Sequence, residues 1–394
     1  MSLPTLPFDQ PDPFAPAPLL RRLQAERPIA QVRTAVGNPA WLVTRHAEVK
    51  RLFLDDRLGR SHPDPDNAPR VGAAPLLGPT QDYATEPTDH AKLRALFTPF
   101  FSARRMRAIR PRVTEHVDRA LAAMAAATRP ADLRQALSVP IPSAVLCELL
   151  GIPTGQRARF QAAVDTIMGF DGRQAADAGL AELISLTREL IGGKRADPRD
   201  DVLSSLCAPE HELSDDDIAH LAAFLLTAGL ASTSSEIDVG VVLLLSRPGQ
   251  WQVLRNNPDL VPSAVEEILR VAISAGGGDA PMLPRYARAD IELGDVTIRA
   301  GELVLLDITA ANIDPRAFTE PDHFDLTRAP NHHLAFGHGP WHCLGAPLAR
   351  MQLQVVFAGL VTRFPTLRLA VPVSRIPVTA SVLDRGIAEL PVTW

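Results

Sequence analysis

One short segment near the C-terminus constrains the fold most, because it places a cysteine among glycines just ahead of a helical pattern. Cys343 is one of three cysteines, with Gly337 and Gly339 before it and Gly345 after it. Apolar residues then recur at helical spacing, which predicts that a helix begins directly after this loop. Backbone N–H groups at a helix start favour an anion. The pattern therefore predicts a good thiolate at Cys343.

Glycines on both sides of this cysteine let a flat, bulky partner approach the backbone closely. A soft thiolate on an open platform suits the iron of a heme, whereas a lone cysteine is also compatible with a buried, inert thiol. The spacing favours the first alternative. The segment resembles the heme-thiolate loop of the cytochrome P450 family, Phe-Gly-x-Gly-x-(His or Arg)-x-Cys-x-Gly, and it matches that pattern at Phe336, Gly337, Gly339, Cys343 and Gly345.

One position of this loop departs from the family pattern. Trp341 stands where the family has a basic residue that holds a heme propionate, and its indole N–H can donate one hydrogen bond but brings no charge. The resemblance implies that Cys343 ligates the iron of heme b. It also implies that the cofactor contacts the loop residues Phe336, Gly337, His338, Trp341 and Gly345.

Composition narrows the class of protein. The chain of 394 residues carries a net charge of −5, and its scattered Lys and Arg residues argue against a nucleic-acid surface. Three dispersed cysteines are too few for a disulfide framework or a zinc site. The N-terminal 20 residues are rich in proline and have no apolar run. We therefore expect a cytoplasmic protein without a signal peptide or membrane anchor.

Periodicity and turn signals predict a mainly helical chain with a few short strands. Residues 61–88 have no period and are expected to form a long loop, after which a helix opens near Asp89. The other predicted helices are 19–26, 46–54, 112–127, 131–151, 154–168, 173–193, 199–207 and 262–271. The predicted strands are 29–36, 40–44, 282–287, 291–293, 296–299 and 303–307, followed by a proline-broken tail.

A long helix is predicted in the second half of the chain. Ser214, with Asp217 three residues on, indicates an N-cap, and the apolar stripe continues to about Leu245. Such a helix is far longer than the average of about 11–12 residues. In its middle lies Ala228-Gly229-Leu230-Ala231-Ser232-Thr233, whose small side chains would let a flat cofactor or ligand lie against the helix.

This helix resembles the oxygen-binding helix of the same family, (Ala or Gly)-Gly-x-(Asp or Glu)-Thr-Thr. Ala228 and Gly229 match, Ala231 replaces the acid, and Ser232 and Thr233 follow as alcohols. In the family the acid–alcohol pair delivers protons during oxygen activation. Either another residue or water relays the protons here and ordinary hydroxylation persists, or the chemistry is altered. A similar arrangement occurs in a family member that couples the two rings of a cyclic dityrosine.

Three further family motifs concern basic residues. His90 and Arg94 are four residues apart and share a helix face, which by itself is also typical of a solvated surface. The resemblance implies that His90, Arg94 and Arg285 bind heme propionates, for which a planar guanidinium is suited. It also implies a buried structural cluster of Glu267, Arg270 and Arg328, although an isolated Glu–Arg pair on a helix is usually a surface pair.

A run of arginines follows the first of these motifs. It is either a solvated basic face or a docking patch for an acidic electron donor, and it comprises Arg104, Arg105, Arg107, Arg110 and Arg112.

Together these resemblances imply a single heme-thiolate domain spanning residues 1–394, with the P450 fold, a triangular helical prism with small β-sheets. They imply a monomeric oxidoreductase that uses dioxygen and electrons from a separate ferredoxin, with no nucleic-acid or membrane partner. Heme is expected between the long helix and the Cys343 loop. The substrate would be lipophilic or aromatic, in a pocket lined by parts of residues 70–88 and by Phe224, Thr227, Ala228, Ala231, Ser232, Pro281, Met282, Leu283, Ser381 and Val382.

Three functions remain open from the sequence. The missing acid at Ala231 favours oxidative C–C or C–N coupling of an aromatic cyclic dipeptide (diketopiperazine) in natural-product biosynthesis. The alternative is hydroxylation or epoxidation of a terpenoid or macrolide, since Leu6-Pro-Phe-Asp9 and Pro284-Arg-Tyr-Ala287 resemble actinobacterial tailoring enzymes of the family. A third alternative is a heme-binding relative without catalysis, against which the full set of heme motifs argues.

Overall fold

The computed structural model describes residues 3–12, 14–72, 78–79, 82–168, 173–275, 284–378 and 386–394. The protein is 56% helical. The α-helices, in chain order, are α1 (Pro18–Glu26), α2 (His46–Phe53), α3 (Glu86–Phe97), α4 (Ala103–Ala126), α5 (Pro140–Leu150), α6 (Arg157–Met168), α7 (Arg173–Ala196), α8 (Val202–Leu206), α9 (Asp215–Leu245), α10 (Pro248–Asn256), α11 (Val261–Ala275), α12 (Ile308–Ala311) and α13 (Ala346–Arg363).

The strands form three small sheets. A five-stranded sheet has the order β1-β2-β8-β5-β3, a three-stranded sheet the order β4-β10-β9, and β6 pairs with β7. In chain order the strands are β1 (Ile29–Arg33), β2 (Pro39–Val43), β3 (Leu58–Gly59), β4 (Ala131–Asp132), β5 (Arg285–Ala287), β6 (Ile291–Leu293), β7 (Val296–Ile298), β8 (Leu303–Leu306), β9 (Arg368–Leu369) and β10 (Pro391–Thr393).

The chain forms two compact units. The first comprises Met1–Leu93 and Pro262–Cys343, and the second Arg94–Val261 and Leu344–Trp394. In the first unit the five-stranded sheet is buried on both faces: Leu42 and Leu305 belong to one apolar cluster, whereas Val43 belongs to another. This arrangement explains why β8 is apolar and buried at every position instead of alternating.

Helix α9 is the central element of the second unit. It spans 31 residues and begins with a capping box in which Ser214 and Asp217 each accept a hydrogen bond from the other's backbone N–H. The predicted start and end of this helix are thus confirmed. It packs against α5, α7 and α13. By length and apolar composition alone α9 could cross a membrane, but 61% of its most apolar window is buried, as in the core helices of soluble proteins.

Several predicted boundaries are wrong, for identifiable reasons. Helix α3 begins three residues before Asp89, because Asp82 accepts hydrogen bonds from the N–H groups of Ala84 and Thr85 and starts the turn there. Helix α4 starts at Ala103, capped by Ser102, so the run of arginines lies on a helix.

The predicted helix 131–151 is in fact divided into three parts. Residues Ala131–Asp132 pair with β10, a π-helical turn covers Arg134–Ser138, and α5 begins at Pro140. Proline has no N–H to donate and is favoured in the first turn of a helix, so the regular helix begins there.

Candidate functional site

The Cys343 loop closes on itself within the first unit. The N–H of Cys343 donates to the carbonyl oxygen of Phe336 at 2.7 Å, and residues Gly339–Trp341 form one 3-10 turn. Gly337 and Gly339 have φ angles of 68° and 60°, in the left-handed region that favours glycine. A Cβ at Gly339 would collide with the side chain of Leu54, so this glycine also allows α2 to support the loop.

Cys343 differs in exposure from the other two cysteines. Cys147 and Cys207 are buried, and burial raises the pKa of both thiols, to about 11 for Cys147. Cys343 is exposed and lies directly before the N-terminal turn of α13, whose N-cap is Gly345. The structure therefore presents a single exposed thiol, on the loop where the sequence predicts the iron ligand. Among the described residues, no group of three or more His, Cys, Asp or Glu side chains could hold a metal ion.

Trp341 is packed between two of the predicted propionate ligands. The His90 ring lies with its centroid 4.2 Å from that of Trp341, and the guanidinium carbon of Arg285 lies 4.8 Å from the indole centroid. Arg285 is buried, and burial lowers its pKa to about 9, with a further lowering from the charge of Arg60. The indole thus supports an aromatic and cationic cluster in place of the usual basic side chain.

Arg60 and Glu86 complete this cluster, and sequence reasoning missed both. Glu86 is 2% exposed and accepts hydrogen bonds from the N–H of Arg60 at 2.5 Å, the Ser61 hydroxyl and Arg288 Nη1 at 3.0 Å. The Nε and Nη2 atoms of Arg60 are buried and have no hydrogen-bond partner among the described residues. No local signal marks these residues, since Arg60 follows a two-residue strand and Glu86 lies in the predicted loop.

Helix α9 presents an open stripe in the middle of its length. Phe224 is 48% exposed, Ala228 and Ser232 are exposed, and Thr227 and Ala231 are half-buried. These positions repeat at helical spacing and form one face. The Ser232 hydroxyl donates to the carbonyl oxygen of Ala228 at 2.9 Å. The predicted pocket residues of α9 therefore share one face that is apolar apart from two hydroxyl groups.

Two other predicted residues of α9 do not lie on this stripe. Thr233 is buried, 5% exposed, in contrast to the exposed Ser232. A Cβ at Gly229 would lie 2.8 Å from Leu146 Cδ1, so this glycine is explained by the close packing of α5 on α9. For Gly229, helix–helix packing within the second unit supplies a reason that the sequence pattern alone did not.

Glu236 lies one turn along α9 from Ser232. Its Oε2 atom is buried and has no hydrogen-bond partner in the described part of the chain, although the residue as a whole is half-buried. Burial raises the pKa of Glu236 to about 8. This carboxyl group is therefore mainly protonated at neutral pH. It was not predicted from the sequence, where an acid was expected only at position 231.

The predicted structural cluster is assembled within the first unit. Arg270 Nη2 donates to Glu267 Oε1 at 2.7 Å, and Arg328 Nε donates to Glu267 Oε2 at 3.1 Å. Glu267 and Arg270 are 0% exposed. Arg270 Nη1 also donates to the carbonyl oxygens of Asn312 and Pro321, each at 2.9 Å. This geometry rules out the alternative of an isolated surface pair.

Several predicted pocket residues lie outside the described residues, namely Pro281, Met282, Leu283, Ser381, Val382 and positions 73–77, 80 and 81 of the long loop. The second unit also contains a cleft of about 820 Å³ between α4, α5 and α7, lined by both charged and apolar side chains and by none of the predicted pocket residues.

The side chains of the first unit fit a heme. An exposed thiol suits a soft iron ligand. The Arg60 donors that have no partner in the described part of the chain suit the carboxylates of a porphyrin. His90 and Arg285 both lie against Trp341. The cluster is therefore still cationic, although the loop lacks its usual basic residue.

Comparisons with known proteins give the family. The sequence model of the cytochrome P450 family matches residues 173–369. Pentalenolactone synthase of Streptomyces exfoliatus is 45% identical over 100% of this chain and 99% of its own. Nocardicin C N-oxygenase of Nocardia uniformis subsp. tsuyamanensis is 41% identical over 98% of each chain. The solved structure of PimD, a polyene macrolide antibiotic pimaricin epoxidase, superposes with a TM-score of 0.90 at 44% identity, covering 100% of both chains.

This agreement over the full length confirms the predicted mainly helical fold with small sheets. The relatives named as a synthase, an N-oxygenase and an epoxidase confirm that the chain is an oxidising enzyme of natural-product tailoring with heme b as its cofactor. The protein whose exposed Cys343 follows the Phe-Gly-x-Gly turn is therefore a member of the cytochrome P450 family.

Proposed function

We propose that this protein inserts one oxygen atom into a lipophilic macrolide or terpenoid, by hydroxylation or epoxidation, in natural-product biosynthesis. Full-length similarity to pentalenolactone synthase and to the pimaricin epoxidase carries this proposal. The open stripe with Phe224, Ala228 and Ala231 suits an apolar substrate. Coupling of an aromatic cyclic dipeptide, which the sequence favoured because of Ala231, has no counterpart among these relatives, and we place it second.

The proposed roles of the cofactor-binding residues follow from their chemistry. Cys343 would ligate the iron, whereas His90, Arg94 and Arg285 would bind the porphyrin carboxylates. When bound, the heme supplies the activation of dioxygen with two electrons. We assign the supply of these electrons to a ferredoxin, and we propose that the enzyme acts as a monomer in the cytoplasm.

Helix α4 is the proposed docking face for that ferredoxin. Two of its arginines already have acidic partners, because Arg105 pairs with Asp200 and Arg112 Nη1 lies 2.9 Å from Glu148 Oε1. The remaining basic residues of the run, Arg104, Arg107 and Arg110, would carry most of the attraction to an acidic donor.

The proton supply is assigned to two side chains of α9. Ser232 can both donate and accept a hydrogen bond at its Oγ atom, and the Cα atom of Glu236, which carries the protonated carboxyl, lies about 6 Å further along the helix axis. We assign Glu236 the role of the acid that Ala231 lacks, with water or Ser232 carrying the proton onward. Its raised pKa of about 8 keeps the proton available at neutral pH.

Replacing Glu236 by glutamine tests this assignment. A glutamate with a raised pKa is protonated below that pKa and loses its proton above it. The amount of oxidised substrate formed per NADPH consumed should therefore fall as the pH rises through about 8. In Glu236→Gln this pH step should disappear. The coupled rate at neutral pH should be about a hundredfold lower, the low end for a general acid, because water can substitute in part.

The matched control for this variant is Ser235→Ala, since Ser235 is the half-buried neighbour on the same helix. It should keep both the rate and the pH step. A Glu236→Gln enzyme that retains the wild-type pH profile would show that the carboxyl group plays no part in proton supply.

Mass spectrometry of turnovers tests the proposed reaction. With a surrogate ferredoxin system and a panel of macrolactones, terpenoid acids and cyclic dipeptides, we expect a product that has gained one oxygen, from both the wild type and Ala231→Asp. A product lacking two hydrogens, or a dimer, would overturn the proposal. A shift from coupled to oxygenated product in Ala231→Asp would assign the coupling to the missing acid.

A further inference from the structure

Arg60 carries hydrogen-bond donors that the described part of the protein leaves unused. Its Nε and Nη2 atoms are both inaccessible to solvent and have no hydrogen-bond partner among the described residues. Burial lowers the pKa of this guanidinium. An arginine keeps its charge in proteins, so these two donors are desolvated with no hydrogen bond from the described residues to offset the cost. Such groups are rare in native proteins and call for an explanation, for example a ligand that accepts from them.

The surroundings of Arg60 have too few negative charges. Arg60, Arg285 and Arg288 bring three guanidinium groups to this part of the first unit, and the described residues offer them the carboxylate of Glu86. That carboxylate is already engaged by Arg288 Nη1 at 3.0 Å. The charge of Arg60 adds to the effect of burial in lowering the pKa of the Arg285 guanidinium, as expected for a like charge nearby with little solvent.

The unused donors have the geometry of a carboxylate clamp. The Nε–H and one Nη–H of a guanidinium point the same way and donate two parallel hydrogen bonds to the two oxygens of one carboxylate. Trp341, under the Arg285 guanidinium, adds an aromatic face but no charge. We propose that Arg60 is a carboxylate-binding residue whose Nε–H and Nη2–H bind one carboxylate beside Arg285.

The carboxylate has two possible sources, a propionate of the heme or an acid group on the substrate. The inference rests on the proposed function only in the second case, because the first requires heme binding alone. Measurements without turnover can therefore separate a failure of this inference from a failure of the proposed reaction.

The first test compares the heme-free protein with its Arg60→Met variant. Methionine fills much of the same space and removes a charged group with two buried donors that have no partner among the described residues. The heme-free variant should therefore melt a few degrees higher than the wild type. Arg57→Met is the matched control, since the Arg57 side chain is 41% exposed and already paired with Asp55 at 2.7 Å. If heme-free Arg60→Met melts at a lower temperature than both the wild type and Arg57→Met, Arg60 has a purely structural role and the proposal is wrong.

The second test identifies the carboxylate. If it is a propionate, heme should transfer from Arg60→Met to apomyoglobin about tenfold faster than from the wild type, and Arg60→Lys should be intermediate. Heme dimethyl ester should abolish the difference. If the acid belongs to the substrate, heme transfer should be unchanged, whereas the affinity for carboxylic acid ligands should fall about tenfold and that for their methyl esters should not. Unchanged heme transfer together with unchanged acid affinity would overturn the proposal.

Discussion

Serine in place of Cys343 is expected to abolish the thiolate-type spectrum of the ferrous carbonyl complex and, with it, turnover. A serine oxygen is a harder ligand than a sulfur, and the hydroxyl is a far weaker acid than a thiol. Serine therefore does not supply the soft, electron-donating anion that distinguishes this class of heme protein. The loop should keep its shape, because the backbone hydrogen bond from residue 343 to Phe336 does not involve the side chain. The measurement is the absorption spectrum of the reduced protein under carbon monoxide.

The other two cysteines provide matched controls for this prediction. Cys147 and Cys207 are buried, and their thiols have raised pKa values. Cys147→Ser and Cys207→Ser should therefore keep the wild-type spectrum even if they lower stability. A thiolate-type spectrum that persists in Cys343→Ser and disappears in either control would refute the assignment of the iron ligand.

The second large effect is expected on stability. Replacing Glu267 by leucine should destabilise the protein by about 3–5 kcal/mol, because it leaves two arginines without their buried carboxylate. Glu267 accepts from both Arg270 and Arg328, and additionally from Asn331 Nδ2 at 3.1 Å and from the N–H of Asp325 at 2.9 Å. The measurement is the urea midpoint of the heme-free protein, with the heme-loaded protein in parallel.

Two further variants define the origin of that loss. Adding Arg270→Met to Glu267→Leu should restore part of the stability, since it removes one of the two guanidinium groups that have lost their carboxylate partner. Asp290→Asn breaks an exposed pair with Arg299 at 2.6 Å and should change stability by about 0–1 kcal/mol. A Glu267→Leu loss no larger than that of Asp290→Asn would mean that the cluster does not hold this region together.

The elements predicted correctly from the sequence are those that depend on local interactions. Ser214 and Asp217 determine the start of α9 because a capping box involves residues three apart. The turn before Cys343 is equally local, since Gly337 and Gly339 adopt the left-handed conformation that other residues avoid. The family resemblance of the cysteine loop rested on these same neighbours, and the comparisons bore it out.

The boundaries that were mispredicted depend on partners elsewhere in the chain or on a less obvious cap. Residues Ala131–Asp132 lie at the start of a predicted helix, but they pair with β10 near the C-terminus, so the helix does not include them. Helix α3 begins at Glu86 and not at Asp89, because Asp82 accepts hydrogen bonds from the N–H groups of Ala84 and Thr85 in the turn just before it. Helix propensity is a weak preference that tertiary contacts override.

The sequence by itself determined the long helix, the cysteine loop and the family, because each depends on residue types at short, fixed spacing. Only the tertiary structure decided which charges lack partners. Glu86 and Arg288 are 202 residues apart in the chain, yet they form an ion pair, while two donors of Arg60 find no partner among the residues that the structure describes. Burial and charge balance depend on all the elements that pack around a side chain, and no local pattern of residues encodes them.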